Sequence, residues 1–266
     1  MAAGRSRVTA ALALIVCAAT WACGSSSTPA SSTAPTPTPA PTAAKHLLVV
    51  TYTAGFHHDS IPVAEATIQT IGATSGVFQT EFCRTADEVK AKLTADGLKG
   101  FDGVFFANTT GNLGIPDVRA LLDWIAAGHA FLGAHSASDT YHESADYIAM
   151  LGGEFLTHGA IVEGDVRVDQ ASDPIVAHLA PRFRITDELY RFTRLNGDLR
   201  VLYSLDREPA DGVGAAGQPA NLPLGWTRTP GTGRVFYTAL GHREEVWQDP
   251  RYQQMLREAI RWALRR

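Results

Sequence analysis

The chain has 266 residues, of which 45% are hydrophobic and 19% are charged, and its formal net charge at pH 7 is −4. These values are typical of a globular protein, and no lysine- or arginine-rich stripe indicates a nucleic-acid partner. Beyond the first 23 residues Cys83 is the only cysteine, which excludes a disulfide bond within a folded domain that follows them.

The N-terminal segment has the layout of an export signal. Two arginines precede an apolar stretch over residues 8–19, which is shorter than the roughly 20 residues of a membrane-spanning helix. The following "TWAC" at 20–23 resembles the end of a bacterial lipoprotein signal. The sequence therefore predicts a signal peptide over residues 1–22, lipidation of Cys23 and a lipid-anchored protein of the bacterial cell envelope. Cleavage by an ordinary signal peptidase, with secretion, is the alternative.

Residues 23–44 consist almost entirely of Ser, Thr, Pro and Ala. A segment with so few large apolar side chains cannot offset the entropy lost on ordering, and its prolines favour extended conformations. We therefore predict a disordered tether over these residues, followed by one folded domain over residues 45–266.

The first half of this domain contains continuous apolar runs that are typical of buried strands. They lie at residues 47–53, 103–108 and 130–135, with a weaker one at 77–83. Runs that are apolar on both faces suit parallel strands that are covered on both sides.

Helical patterns lie between these strands. Asp59 is a candidate cap for the first helix, in whose first turn Pro62 would lie, and Thr85 with Glu88 forms a capping box for the second. A third helix is expected within residues 116–128. The alternation predicts an α/β fold with a doubly wound, mostly parallel sheet flanked by helices.

The second half predicts extra strands and a final helix. The strands are expected at residues 164–169, 200–207 and 233–242, with a short helix at 174–180. The final helix is expected to begin at a cap formed by Asp249.

Ligands of such sheets bind beyond the carboxyl ends of the strands. The loops that follow the first and fourth strands contain histidine and aspartate together, at His57, His58, Asp59, His135 and Asp139. Because these loops share one edge of the sheet, their side chains are expected to meet there.

Five segments together resemble the ThuA-like (trehalose-utilisation) family. "TAGFHHDSI", "FLGAHSASDTY", "LGGEFLTHG", "DELYRF" and "GRVFYTALGHREEVWQDPRY" occur in the family's order and span nearly all of residues 45–266. The resemblance implies a fold similar to the class I glutamine amidotransferases, of flavodoxin-like type, and a link to bacterial sugar metabolism. Where the family's first-loop pattern has an arginine, this chain carries His57.

His135 lies at the strand-to-helix turn that carries a catalytic cysteine in the amidotransferases that this fold resembles. Cys83 belongs to the second strand region, so cysteine-dependent glutaminase chemistry is not expected. Three roles for His135 stay open: a metal ligand, a general acid or base aided by Asp139, or a hydrogen-bonded structural residue.

The candidate site residues follow from these loops and motifs. The predicted catalytic residues are His135, Asp139 and His58. The predicted ligand-binding residues are His57, Asp59, Asn108, Tyr141, His142, His158, Glu188 and His242. The cofactor is open: no metal-binding motif spacing is present, but if a divalent metal binds, its candidate ligands are His58, His135, His158 and His242. Asp187 and Glu188 are expected on the pocket rim, and Trp226 and Trp247 are candidates for stacking on a sugar ring.

The predicted function is that of a cell-envelope protein that acts on or binds a carbohydrate or an oxidised sugar derivative. As an enzyme it would use acid–base or metal-assisted chemistry of the hydrolase or lyase type. The alternative is a non-catalytic sugar-binding or interaction module on the cell surface. The predicted partner is a small carbohydrate, and membrane contact is expected only through the N-terminal lipid anchor.

Overall fold

The structure is a computed structural model that describes residues 43–266. The predicted signal peptide, Cys23 and all but the last two residues of the predicted tether lie outside the described residues. The strands are β1 (Lys45–Val50), β2 (Phe78–Cys83), β3 (Gly103–Ala107), β4 (Ala130–Ala134), β5 (Glu154–His158), β6 (Val162–Val168), β7 (Arg182–Asp187), β8 (Tyr190–Thr193), β9 (Arg200–Arg207), β10 (Pro219–Arg228) and β11 (Arg234–Thr238). The α-helices are α1 (Ile61–Ser75), α2 (Ala86–Lys92), α3 (Val118–Ala126), α4 (Ala145–Leu151), α5 (Glu244–Gln248) and α6 (Pro250–Ala263), and short 3-10 helices cover Gly97–Gly100 and His135–Asp139.

The central sheet has nine strands in the order β2-β1-β3-β4-β11-β10-β9-β6-β7. From β2 to β11 neighbouring strands run parallel, and from β11 to β7 they run antiparallel. The predicted α/β fold with a doubly wound, mostly parallel sheet is confirmed; of the second-half strands, β11 joins the parallel part, and β10, β9, β6 and β7 extend it antiparallel. The parallel part therefore presents the carboxyl ends of β1, β3, β4 and β11 at one edge.

Burial explains why helices accompany these strands. Every residue of β3 and β4 is buried, as are the last four residues of β1. A strand buried on both faces needs cover on both sides, and two groups of helices are present: α1 with α5 and α6, and α3 with α4. None of the helices within residues 43–266 is long and apolar enough to cross a membrane.

Two helix starts are confirmed by their capping contacts. The hydroxyl of Thr85 accepts a hydrogen bond from the backbone N–H of Glu88, whose carboxylate reaches back to the N–H of Thr85. Asp249 caps α6 by accepting from the N–H of Arg251. Each cap satisfies a helix N–H group that would otherwise lack a partner.

Two local predictions are wrong. Residues 174–180 form turns instead of a short helix. The carbonyl of Asp173 accepts from the N–H groups of Val176 and Ala177, and Pro181 biases the residue before it away from the helical conformation. Asp59 does not cap α1, because the helix begins one residue later with Ser60 at the cap position and Asp59 exposed.

The sequence reading also missed β5, β7, β8 and β10. Of these, β5 and β8 form a separate antiparallel pair in which His158 lies opposite Tyr190. This pair places both side chains beside the carboxyl edge of the main sheet.

Candidate functional site

A pocket of about 290 Å³ lies at the carboxyl edge of the sheet. Five of the predicted site residues line it: His58, Asp139, His158, Glu188 and His242. They come from the loop after β1, the turn after β4, the end of β5, the segment between β7 and β8, and the loop after β11. The expected convergence of distant segments at one edge is therefore present in the structure.

His135 lies directly behind this pocket, at the turn after β4. Its φ of 49° is in the left-handed region, which is uncommon for a residue other than glycine and is typical of a sharp strand-to-helix turn. The side chain is fully buried, and its Nδ1 donates to the carbonyl of Ala239 over 2.9 Å. Because the proton is on Nδ1, Nε2 keeps its lone pair and accepts from the hydroxyl of Tyr190 at 2.9 Å.

Three imidazole rings form a compact cluster. The ring centroids lie 4.7 Å apart for His58 and His135, and 5.2 Å apart for each of these rings and His242. One nitrogen from each ring lies within 4.8 Å of the other two. These are the residues that could share a metal ion.

Burial makes two of the imidazoles weak bases. It lowers the pKa of His58 to about 4, with a further contribution from nearby His242. Burial, followed by the proximity of His58, also lowers the pKa of His135 well below its usual range. Both rings are neutral at pH 7, so each keeps a nitrogen lone pair, and that of His135 accepts from the hydroxyl of Tyr190. A contact with Glu188 instead raises the pKa of His242.

Glu188 connects the imidazole cluster to His158. Its Oε2 lies 3.4 Å from Nδ1 of His242 and 3.6 Å from Nε2 of His135, and its Oε1 lies 3.0 Å from Nδ1 of His158. Glu188 is only 8% exposed and Asp187 is fully buried, so the prediction that both lie on the rim is wrong. Both residues lie at the short connection from β7 to β8, where Glu188 lines the pocket and Asp187 binds the loop that carries His242.

Buried hydrogen bonds fix the loop that carries His242. The carboxylate of Asp187 accepts from the backbone N–H groups of Gly241, at 2.7 Å, and Arg243, at 3.2 Å, while burial raises its pKa to about 6. The carbonyl oxygen of Gly241 accepts three hydrogen bonds, from the side chains of Ser60, Asn108 and Trp247, at 3.2, 2.9 and 2.8 Å, respectively. Asn108, predicted to bind ligand, is fully buried and holds this loop from behind.

Comparisons with known proteins identify the family and the fold. The model of the ThuA family, described as trehalose utilisation, matches residues 46–263. The chain belongs to the ThuA family. No curated protein sequence matches it.

Solved structures of ThuA-like proteins share the fold of this ThuA-family chain. One from Parabacteroides merdae is 18% identical with a TM-score of 0.67, covering 83% of this chain and 90% of that protein. One from Bacteroides uniformis is 22% identical with a TM-score of 0.64, covering 86% of this chain and 95% of that protein. Part of a β-galactosidase from Rahnella sp. R3 is also similar, at 12% identity and a TM-score of 0.55 over 84% of this chain and 31% of that enzyme. At these identities the likeness shows the fold alone.

Asp139 lines the pocket and also belongs to a second polar cluster. His142 lies with Nε2 2.6 Å from Asp139 and Nδ1 2.7 Å from Glu154, and Arg194 binds the same Glu154 carboxylate. Partial burial alone would lower the pKa of His142, but the two carboxylates outweigh it and raise that pKa. The predicted ligand-binding residue His142 thus holds Asp139 in place and does not line the pocket itself.

Other predicted residues lie away from the pocket surface. His57 and Asp59 are exposed on the first loop and do not line the pocket. Tyr141 is buried, and its hydroxyl accepts from the N–H of Ile115. Trp226 and Trp247 are completely buried, which places them in the core and not on a ligand-stacking surface.

Sequence reasoning missed four residues that line the pocket: Phe56, Thr110, Phe155 and Tyr190. Phe56 directly precedes the two histidines of the first loop, and Tyr190 is part of the "DELYRF" motif. Both therefore lie in segments that carry the family resemblance. Thr110 follows β3 in the loop beside them. Phe155 lies in the segment "LGGEFLTHG" of the family resemblance, but its place in the pocket could not be predicted because β5 was missed.

Proposed function

We propose that this ThuA-family chain binds a carbohydrate or an oxidised sugar derivative in the histidine pocket and acts on it there. The observation that carries the proposal is the convergence of His58, His135, His242 and Glu188 around one cavity of about 290 Å³. The family's link to trehalose utilisation supports a carbohydrate as the ligand class.

The pocket lining supports a sugar-sized ligand. Its volume is near the lower end of the range of about 300–1,000 Å³ found for small-molecule sites. Phe56, Phe155 and Tyr190 provide aromatic surface for the C–H face of a sugar ring, while the imidazoles and carboxylates provide partners for its hydroxyl groups. Such a mixture of apolar and polar groups fits one sugar ring.

The protonation states support acid–base chemistry. The neutral imidazole of His58 can accept a hydrogen bond from a sugar hydroxyl, while His242, whose pKa is raised by its contact with Glu188, is the imidazole best suited to take up a proton. Burial raises the pKa of Tyr190 well above its usual range, so its hydroxyl stays protonated and acts as a hydrogen-bond donor. Asp139 provides a further carboxylate in the lining of the same pocket.

We also propose that the protein functions in the bacterial cell envelope. The support is the signal-like sequence over residues 1–22 and the following Cys23, which would carry the lipid anchor. A tether over residues 23–44 would let the sugar-binding domain stand away from the membrane surface.

The test is a thermal-unfolding screen of the full chain against monosaccharides, disaccharides including trehalose, and their oxidised forms, followed by product analysis. A ligand that binds only the native state raises its melting temperature. We expect the shift to disappear in His135→Ala and His242→Ala and to persist in His46→Ala, whose exposed side chain lies outside the pocket. Equal shifts in all three variants, or no responsive sugar at all, would contradict the proposal.

The second candidate is a non-catalytic sugar-binding module. It is favoured by one observation: the sharp turn after β4 presents His135 where a nucleophile would be expected. The same screen separates the two functions, because a binding module gives the thermal shift without any change in the sugar.

A further inference from the structure

We propose that His58, His135, His242 and Glu188 together bind one divalent transition-metal ion of the Zn²⁺ type. The inference goes beyond the proposed function, because metal affinity can be measured without any sugar. It also changes the ligand set expected from the sequence, since Glu188 takes the place of His158.

The first argument is the spacing of three donor atoms. Nε2 of His135 and Nδ1 of His242 lie 3.3 Å apart, and Oε2 of Glu188 lies 3.6 and 3.4 Å from them, respectively. Tetrahedral Zn²⁺ with bonds of about 2.0–2.2 Å separates its ligand atoms by about 3.3–3.6 Å. The three atoms therefore already form one face of such a coordination polyhedron.

The fourth donor is His58. Its ring nitrogen lies within 4.8 Å of those of His135 and His242, so a movement of about 1 Å brings it to a tetrahedral edge length. Its Nδ1 is buried without a hydrogen-bond partner among the described residues. The ring is therefore not fixed by a hydrogen bond at that atom, and a small rotation toward the other donors breaks none there.

The second argument is the set of contacts around the donors. Metal-binding histidines usually donate their other ring N–H to a carbonyl or carboxylate, which fixes the tautomer and aims the lone pair. His135 does this through Nδ1 and the carbonyl of Ala239, and the metal would take the Nε2 lone pair that now accepts from the hydroxyl of Tyr190. Glu188 directs Oε2 toward the imidazoles while Oε1 contacts His158 at 3.0 Å. His158 is thus a positioning residue that orients a ligand.

The chemistry of the donors selects the metal. Three imidazole nitrogens with one carboxylate oxygen suit Zn²⁺ and its first-row neighbours, whereas Mg²⁺ and Ca²⁺ prefer oxygen ligands. His58, His242 and Glu188 also line the pocket, so an ion held here would lie next to the ligand. There it would polarise a carbonyl or hydroxyl oxygen of the bound molecule.

The test uses the full chain, stripped of metal with a chelator. Zn²⁺ is titrated by calorimetry, and Co²⁺ is added separately because its visible absorption reports coordination number. We expect one Zn²⁺ per chain, a four- or five-coordinate Co²⁺ spectrum, and at least 100-fold weaker Zn²⁺ binding in His242→Ala and Glu188→Gln. His158→Ala should weaken binding by about 10- to 100-fold, as expected for a residue that orients a ligand. His46→Ala should bind as the wild type does.

Thermal unfolding of the metal-free proteins verifies that each variant is folded. If an alanine variant does not fold, Glu188→Gln still tests the proposal, because it keeps the shape of the side chain. Failure of the wild type to bind Zn²⁺ or Co²⁺ would overturn the proposal, as would undiminished binding in both His242→Ala and Glu188→Gln. Specific Zn²⁺ binding without any sugar response would support this inference and contradict the proposed function.

Discussion

The side chain of Asp187 fixes the candidate site from beneath it. Its carboxylate accepts hydrogen bonds from the N–H groups of Gly241 and Arg243, on either side of His242. The residue is fully buried, and burial raises its pKa to about 6. The two backbone donors stabilise the carboxylate in this buried place, and they would have no acceptor without it.

Asp187→Ala is therefore expected to destabilise the protein. It leaves two backbone N–H groups without their acceptor, at about 1–3 kcal/mol for each buried group, so we expect a loss of about 2–6 kcal/mol in the free energy of unfolding. Urea unfolding measures the change. The matched control is Asp165→Ala, an exposed aspartate on β6, which should stay within about 0.5 kcal/mol of the wild type. Equal losses in both variants would refute the role assigned to Asp187.

At the same scale, the sequence identified residue types better than it identified orientations. His58, His135 and His242 could be found because each follows a predicted strand, and parallel strands end at one edge. Tyr141 follows the same turn as His135, yet its ring points into the core toward Ile115. Which way a loop side chain points depends on packing that no local pattern encodes.

At the scale of elements, His142 joins the 3-10 turn after β4 to strand β5. It contacts Asp139 in the turn and Glu154 at the start of β5, and these carboxylates raise its pKa above the ordinary value despite partial burial. A histidine whose folded-state pKa is raised adds stability that is fully present below its unfolded pKa of about 6.5. That stability is lost as the pH rises through the folded-state pKa.

We therefore expect His142→Ala to lower stability more at about pH 5.5 than at about pH 8.5. Because the side chain is 43% exposed, the difference should stay below about 1 kcal/mol. Urea unfolding at the two pH values measures it. A loss of stability in His142→Ala that is the same at both pH values would show that its contacts carry no charge.

The predictability of the elements followed the strength of their hydrophobic patterns. The buried runs that became β3 and β4 and the capping box of α2 have strong local signals and were located correctly. Strands β5 and β8 were missed because each is short and pairs only with the other, with an irregular register between Phe155 and Thr157. Their formation depends on packing against the main sheet, as shown by the contact of Phe192 with Trp226.

At the scale of the whole molecule, the fold depends on its core without covalent cross-links. Cys83, the one cysteine among the described residues, is a free thiol with no exposed surface, and burial raises its pKa to about 12. A buried neutral thiol is a poor nucleophile.

We expect a reducing agent to leave the melting temperature unchanged and native Cys83 to resist alkylation until the protein unfolds. Peptide mass spectrometry after iodoacetamide treatment distinguishes Cys83 from Cys17 and Cys23, and the urea-unfolded chain is the control. Labelling of native Cys83 at the rate seen in urea would show that the core opens readily around β2.

The hydrogen bonds that meet at the carbonyl of Gly241 also bear on how this site can change. That oxygen accepts hydrogen bonds from the start of α1, the end of β3 and helix α5. An insertion or deletion in the loop would move the oxygen and break all three hydrogen bonds at once. In the wall formed by the first loop and β5, the hydrogen bonds at Phe56 are made by its backbone carbonyl, which accepts from Thr53 and Thr110, so a change of the Phe56 side chain leaves them in place. New ligand preferences are thus most accessible by redesigning that wall, with the imidazole-bearing loop left at its present length.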